Sequence, residues 1–402
     1  MTDQLNPVAL PAEDAALLAR VRELAAERIG PRANEVALSD DFAWDTFRLL
    51  AREGVIATAF PRALGGTEGS MQLRVRIIEE LARVCSTAAS LVTGTDLAGR
   101  PIAAGAADSL AREIVPRLAR GEIQSAFALT ERKAGSDVAG LTTIARRDGD
   151  DFVLDGVKRF ITRAPVADLF VVVARLDGVP GAKGLSAFLV DRGSPGLTVG
   201  PTQPKLGWYG VPIAEVHLQH VRVPRERLLG REGEGFALAQ DTLVRARIGH
   251  GAIALGRAQG ALEMAAQYAA RRSTFGKKLA EHQGVQWMVA DMATRIEAAR
   301  CLVRSAAARY DAGDADVSVH ASMAKLYATD LGMQVTVDCL QLAGGNGYLK
   351  ELPFERFMRD AKLNQIGEGS SEIHKTVIGR HVLKRAAQSP PHPCLDLDAL
   401  EL

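Results

Sequence analysis

The spacing of apolar residues changes twice along the chain, which restricts the fold to a three-part arrangement. Up to about residue 123 the repeat is helical. Leu73, Ile77, Leu81 and Val84 stand three or four apart, with Arg74, Arg76, Glu79 and Glu80 between them. A similar stretch runs over 110–118, where Pro116 is expected to kink or split the helix. From 124 to 235 the pattern becomes strand-like. Asp148-Gly149-Asp150-Asp151 ahead of Phe152-Val153-Leu154 reads as a hairpin between two short strands, and 169–173 and 185–190 are apolar runs of strand length. After 236 long helices return. Val285, Val289, Met292, Ile296, Ala299 and Val303 alternate steps of four and three, as subunit core or as an oligomer seam, with core the simpler reading. Gly249, Gly251, Gly256 and Gly260 lie in another helical pattern, where each costs about 1 kcal/mol relative to alanine. Close helix packing or the approach of a ligand would justify them. The expected fold class is α+β, mostly helical. It comprises an N-terminal helical domain (1–123), a middle β domain (124–235), a C-terminal helical bundle (236–388) and a loose tail (389–402).

Composition removes several function classes. Lys and Arg total 49 against 48 Asp and Glu, so the net charge of +1 lacks the footprint of a nucleic-acid binder. No stretch approaches the ~20 apolar residues of a membrane span. The start, Met1-Thr2-Asp3-Gln4-Leu5-Asn6-Pro7, has neither the basic nor the apolar region of a signal peptide. Cys85, Cys301, Cys339 and Cys394 are far apart and form no C-x-x-C pair. The expectation is a cytoplasmic protein with no nucleic-acid or membrane partner. Common motifs also fail. The glycines at 230, 233 and 235 do not have dinucleotide-binding spacing, and Leu141 stands where a P-loop needs lysine. His217 and His220 would point to opposite faces of a strand, so no metal is expected, and the G-x-S-x-G hydrolase elbow is missing.

Five segments combine glycine, hydroxyl and charge more densely than local structure requires. Phe127-Ala128-Leu129-Thr130-Glu131-Arg132-Lys133-Ala134-Gly135-Ser136-Asp137 opens the β zone with hydroxyls around a glycine, suited to an anionic or heteroaromatic ligand or to an ordinary Ser/Asp turn. Lys158-Arg159-Phe160-Ile161-Thr162 is a strand whose Thr162 can point to the same place. Arg272-Ser273-Thr274-Phe275-Gly276, with Gln283 downstream, offers an Arg beside an aromatic residue, for a phosphate or merely for a helix end. Gln341-Leu342-Ala343-Gly344-Gly345-Asn346-Gly347 permits close backbone approach or a tight helix exit. Gln365-Ile366-Gly367-Glu368-Gly369-Ser370-Ser371-Glu372 exposes a carboxylate between glycines just before a helix. There the helix amides are expected to keep it ionised, as a base or as a structural group.

In order and spacing these five resemble the acyl-CoA dehydrogenase family over nearly the whole chain. The resemblance implies FAD between the middle domain and the C-terminal four-helix bundle. It implies cofactor contacts from Phe127, Leu129, Thr130, Ser136, Phe160 and Thr162, with Thr162 at flavin N5. Arg272, Phe275, Gln283, Gln341, Gly344 and Gly345 would reach the cofactor from a dimer partner, and Ser370 and Glu372 would add a further pair. Glu368 falls on the catalytic base, and Ser136, Arg247 and Gly369 on the substrate side. Where some subfamilies carry the base, before the Arg matched by Arg247, this chain has Ala246. Glu368 is then the carboxylate left at either location.

The implied reaction is α,β-dehydrogenation of an acyl-CoA to trans-2-enoyl-CoA. Glu368 takes the α-proton, flavin N5 accepts the hydride, and electrons pass to an electron-transferring flavoprotein, as in fatty acid or amino acid catabolism. A homodimer or homotetramer is implied. Phe160 stands where many members carry Trp, Arg163 where Asn is common, and Val244 where an acidic residue is common. Gly367, Tyr in several straight-chain enzymes, leaves room for a branched, cyclic or bulkier acyl group. The rival readings are a dehydrogenase of carrier-protein thioesters, a flavin monooxygenase or nitroalkane-type oxidase on the same fold, and a non-enzymatic binding protein.

Overall fold

The computed structural model describes residues 10–390 and 392–394. The first seven residues and most of the expected tail lie outside them. The N-terminal part holds α1 (Ala12–Leu24), α2 (Ala33–Val36), α3 (Trp44–Arg52), α4 (Met71–Val84), α5 (Ser86–Gly105) and α6 (Asp108–Ala119). Pro116 does not split α6, which runs through it. Ala111, Ile114, Val115 and Leu118 of this helix are buried against the sheet, and that burial outweighs the roughly 3 kcal/mol an internal proline costs. The start of α4 is capped twice: Ser70 Oγ accepts from Leu73 N at 3.1 Å, and the Asp311 carboxylate accepts from Met71 N at 2.7 Å and Gln72 N at 3.0 Å.

The middle part is a sheet of β1 (Ser125–Ala128), β2 (Ile144–Asp148), β3 (Asp151–Thr162), β4 (Leu169–Leu176), β5 (Leu185–Asp191), β6 (Leu197–Val199), β7 (Ile213–Val223) and β8 (Leu228–Leu229). Strand order is β6-β7-β3-β2-β4-β5-β8, with β1 parallel to β4. Asp148 pairs with Asp151 across the hairpin, and Gly149 takes φ +66°. β3 is twelve residues long rather than short, because register shifts after Leu154 and Lys158 bend it along β7. The apolar run of β4 is buried on both faces. Phe170, Val172 and Ala174 face the interior of the sheet, while Leu169, Val171 and Val173 pack under α5 and α6.

The C-terminal part comprises α7 (Gly235–Arg271), α8 (Gln283–Asp311), α9 (Val317–Ala343), α10 (Gly345–Tyr348), α11 (Phe354–Ile366) and α12 (Ser371–Gln388); the small strands β9 (Ser273–Thr274) and β10 (Lys277–Lys278) lie between α7 and α8. The glycines of α7 serve helix packing. A Cβ on Gly256 would stand 2.1 Å from the Glu79 carbonyl oxygen of α4, and one on Gly260 2.0 Å from that of Arg83. Met292, Ile296, Ala299 and Val303 of α8 are buried in the same core as α4, α7 and α9. Among the described residues no helix is long and apolar enough to cross a membrane.

Candidate active site

Between α11 and α12 the chain passes through Gly367-Glu368-Gly369-Ser370. Glu368 itself is left-handed, at φ 56°, followed by Gly369 at φ 95°. An L-residue pays roughly 1–2 kcal/mol for that conformation, so the carboxylate is held in place by its surroundings. Ser370 caps α12 by accepting from Ile373 N at 3.5 Å. Burial raises the pKa of Glu368 above the ordinary carboxylate value, against the opposing charges of Arg247 and Lys325. The counter-charges are side chains of α7 and α9 rather than the amides of α12 on which the sequence expectation rested.

The opposite wall belongs to the middle part. Lys158 of β3 is fully buried and donates to Leu129 O at 3.0 Å and to Glu131 Oε1 at 2.7 Å. Glu131 also accepts from Thr142 N at 2.7 Å, Thr142 Oγ1 at 2.6 Å and Thr143 N at 2.9 Å. Burial works to raise the pKa of Glu131, but the Lys158 charge and these hydrogen bonds outweigh it and hold the carboxyl at about 2. Burial lowers Lys158 to about 8, so the pair is ionised at neutral pH. This buried pair ties the first glycine–hydroxyl segment to β3 and sets the positions of Thr130 and Thr162. The side-chain hydroxyls of Thr130, Ser136 and Thr162 bond to no group among the described residues, and all three line the cavity. Phe160, at φ 58°, is 54% exposed beside them.

One cavity of about 180 Å³ brings together Phe127, Leu129, Thr130, Ser136, Phe160, Thr162, Arg247, Glu368 and Gly369. That volume is below the ~300–1,000 Å³ of ordinary ligand sites, so the enclosed space accommodates reacting groups rather than a whole dinucleotide. The remaining candidates are elsewhere. Ser370 and Glu372 sit at the start of α12 outside the lining. Arg272 follows the last residue of α7, Phe275 is 94% exposed in the β9–β10 turn, and Gln283 begins α8. Gln341 closes α9, and Gly344 at φ +60° leads into Gly345 with open space around both.

Several groups around the cavity were not found by motif reading. Lys325 of α9 is fully buried in the stripe Ala321, Ala324, Ala328, Leu331 and donates to Gly369 O at 2.6 Å. Burial lowers it to about 8, against the charges of Glu368 and Asp330. A lone lysine at apolar helix spacing was the signal available. His250 stacks on Trp208 at 5.6 Å and meets Asn364 at 3.1 Å, and Asn364 accepts from Arg257 at 2.6 Å. Arg163, singled out in the sequence as standing where Asn is common, is buried, and burial lowers it to about 9. It donates to the carbonyl oxygens of Ser90 and Leu91 at 3.2 and 2.6 Å. His217 and His220 of β7 lie beside Glu215 and Asp155, at 3.5 and 3.3 Å.

A helical domain, a strand-rich middle and a helical bundle around one carboxylate-bearing cavity are the arrangement that the sequence resemblance implies. Comparison with known proteins agrees. The acyl-CoA dehydrogenase N-terminal domain matches residues 11–122, the middle domain 126–221 and the C-terminal domain 233–383. Cyclohex-1-ene-1-carbonyl-CoA dehydrogenase of Geobacter metallireducens is 43% identical over 379 residues, covering 93% of this chain and 99% of its own. Cyclohexane-1-carbonyl-CoA dehydrogenase of the same organism is 41% identical, covering 91% and 96%. The structure of butyryl-CoA dehydrogenase from Megasphaera elsdenii superposes with a TM-score of 0.90 at 34% identity, covering 94% of this chain and all of that one. The chain belongs to the acyl-CoA dehydrogenase family and is an oxidoreductase. FAD is the cofactor of this family, and the three free hydroxyls and exposed Phe160 on the middle-domain wall fit it.

Proposed function

We propose that this protein oxidises the Cα–Cβ bond of an acyl-CoA to a trans-2-enoyl-CoA, with Glu368 as the α-proton base. The observation that carries this reading is that Glu368, strained and with a carboxylate that accepts no hydrogen bond among the described residues, shares one cavity with the unpartnered hydroxyls of Thr130, Ser136 and Thr162. FAD, bound against that wall, supplies the hydride acceptor. Glu368 takes the proton at a carboxylate oxygen, and burial makes it a stronger base than an exposed glutamate. A thioester α-proton is weakly acidic, so the carbonyl oxygen needs donors placed in advance. The N–H of Glu368 bonds to no group among the described residues and is available for that oxygen. Arg247 on α7 favours the ionised form of the base before the proton is taken, and Gly369 lines the cavity beside it on the substrate side.

The contacts from Arg272, Phe275, Gln283, Gln341, Gly344 and Gly345 come from a second copy of the chain, and Ser370 and Glu372 add to them. Along α7 about 37 Å of helix, at ~1.5 Å per residue, separates Arg272 from Arg247. One dinucleotide does not span both on a single chain. Phe275, Tyr348 and Trp287 stand 94%, 77% and 65% exposed, an apolar set suited to a subunit contact. A homodimer or homotetramer in the cytoplasm, passing electrons to an electron-transferring flavoprotein, completes the reading. The domain boundaries near 123, 235 and 388 belong to it.

The acyl group is branched or alicyclic. A Cβ added at Gly367 would meet Leu363 O at 3.5 Å and His250 Cε1 at 3.6 Å, ordinary contact distances, so the glycine represents room rather than necessity. The two Geobacter relatives are named for alicyclic thioesters. Anaerobic titration of the flavoprotein with butyryl-, isobutyryl- and cyclohexane-1-carbonyl-CoA tests this. The branched or cyclic thioesters are expected to bleach the flavin faster than butyryl-CoA. Bound flavin that no acyl-CoA reduces would favour carrier-protein thioesters or an oxygen-using relative.

A further inference from the structure

We propose that Lys325 and Asp330 of α9 clamp the loop that carries Glu368 and act as positioning residues for the base. The inference rests on Glu368 being that base. The clamp grips the loop at three points. Lys325 Nζ donates to the carbonyl oxygen of Gly369 at 2.6 Å, next to the strained residue. Asp330 Oδ1 accepts from Gln365 Nε2 at 2.8 Å on one side and from Ser371 Oγ at 2.9 Å on the other. All three bonds leave from one helix of 27 residues packed through the bundle core. Left alone, a left-handed glutamate between two glycines would relax, and these tethers oppose that.

A buried ammonium is an expensive way to hold one carbonyl oxygen, and its charge has a second use. The charged groups acting on Glu368 are Arg247 from α7 and Lys325 from α9. His374 of α12 lies against Gly369, and His250 of α7 faces Gly367. Burial holds both neutral, at about 4 and about 3. Arg163 reaches the cavity from the middle part, and Asp330 and Glu372 act on Lys325 itself. Lys325 is therefore one of two cations that keep the carboxylate ionised in a buried place, and removing its charge lets burial raise Glu368 further.

The test is the rate of flavin bleaching against pH in the holoenzyme, using whichever of butyryl-CoA or cyclohexane-1-carbonyl-CoA reduces the wild type. In Lys325→Met and Lys325→Gln the acid limb of the profile is expected to move up by about one pH unit, with FAD still bound. Lys325→Arg, which keeps the charge, should leave the limb within a few tenths. Asp330→Ala should lower the rate about tenfold through a slackened loop, with the limb unmoved. Folded Lys325→Met or Lys325→Gln with a wild-type acid limb would overturn the proposal. So would a set in which only Lys325→Arg folds, since Lys325 would then serve the fold alone. Bleaching by Glu368→Gln at the wild-type rate would instead remove the base assignment on which the clamp depends.

Discussion

Glu131 stands beside the cavity-lining Thr130, and Glu368 lines the cavity itself. Burial pushes both carboxyls upward and nearby cations pull both down; what separates them is hydrogen bonding. Glu131 has the Lys158 ammonium at 2.7 Å and three donors from Thr142 and Thr143, so its carboxyl is held at about 2. The Glu368 carboxylate accepts no hydrogen bond among the described residues, sits on a left-handed backbone and is pushed upward by burial. A carboxylate whose lone pairs are all taken has no capacity left for a proton, so Glu131 serves shape. One left short of partners binds a proton readily, so Glu368 is suited to chemistry. The walls differ too: the middle domain presents the hydroxyls of Thr130, Ser136 and Thr162 together with the Arg163 cation, and the bundle presents the carboxylate with Arg247.

Exchanging or removing features of each wall sharpens this contrast. Glu368→Gln should lower the bleaching rate about 10²–10⁴-fold, the usual range for general base catalysis, with FAD retained, as read by stopped-flow absorbance. Glu131→Gln should leave the chemistry of folded enzyme largely intact but cost about 3–5 kcal/mol of stability by stranding Lys158, as read by denaturant unfolding. The sign of its pH dependence follows from the depressed pKa. The contribution of Glu131 is fully present above the ordinary value of 4.5 and is lost as pH falls towards about 2. Gly256→Ala, whose Cβ would meet the Glu79 carbonyl oxygen at 2.1 Å, should cost about 1–3 kcal/mol by prising α7 from α4. Thermal melting of the holoenzyme measures it. Thr162→Val, which removes a free hydroxyl from the cofactor wall, should weaken FAD binding by about 0.5–1.5 kcal/mol, as read by FAD release on dilution.

Much of this was legible in the sequence because it is local. The change from helical to strand spacing and back reads directly off residues such as Leu73, Ile77 and Leu81 or the run into Val173. The glycine-flanked Glu368 stood out by its neighbours alone. What was not legible depends on distant partners. Glu131 and Lys158 are far apart in the chain, and nothing near either announces that they pair. Lys325 meets Gly369 across the bundle. Pro116 looked like a break because local backbone chemistry says so, whereas burial of Val115 and Leu118 carries the helix through it. The α7 glycines permitted a ligand or a helix as neighbour, and helices are what they meet: the α4 backbone at Gly256 and Gly260, Thr93 of α5 at Gly249 and Val303 of α8 at Gly251.

Isotope exchange separates the proton step from the hydride step and so addresses Glu368 alone. The holoenzyme is incubated in deuterated water with an acyl-CoA whose β-position is sulfur and has no hydrogen to give, and the recovered thioester is weighed by mass spectrometry. Deuterium is expected at the α-carbon with the wild type and none above background with Glu368→Gln, both carrying FAD. Equal exchange by the two proteins would contradict the assignment and require another base.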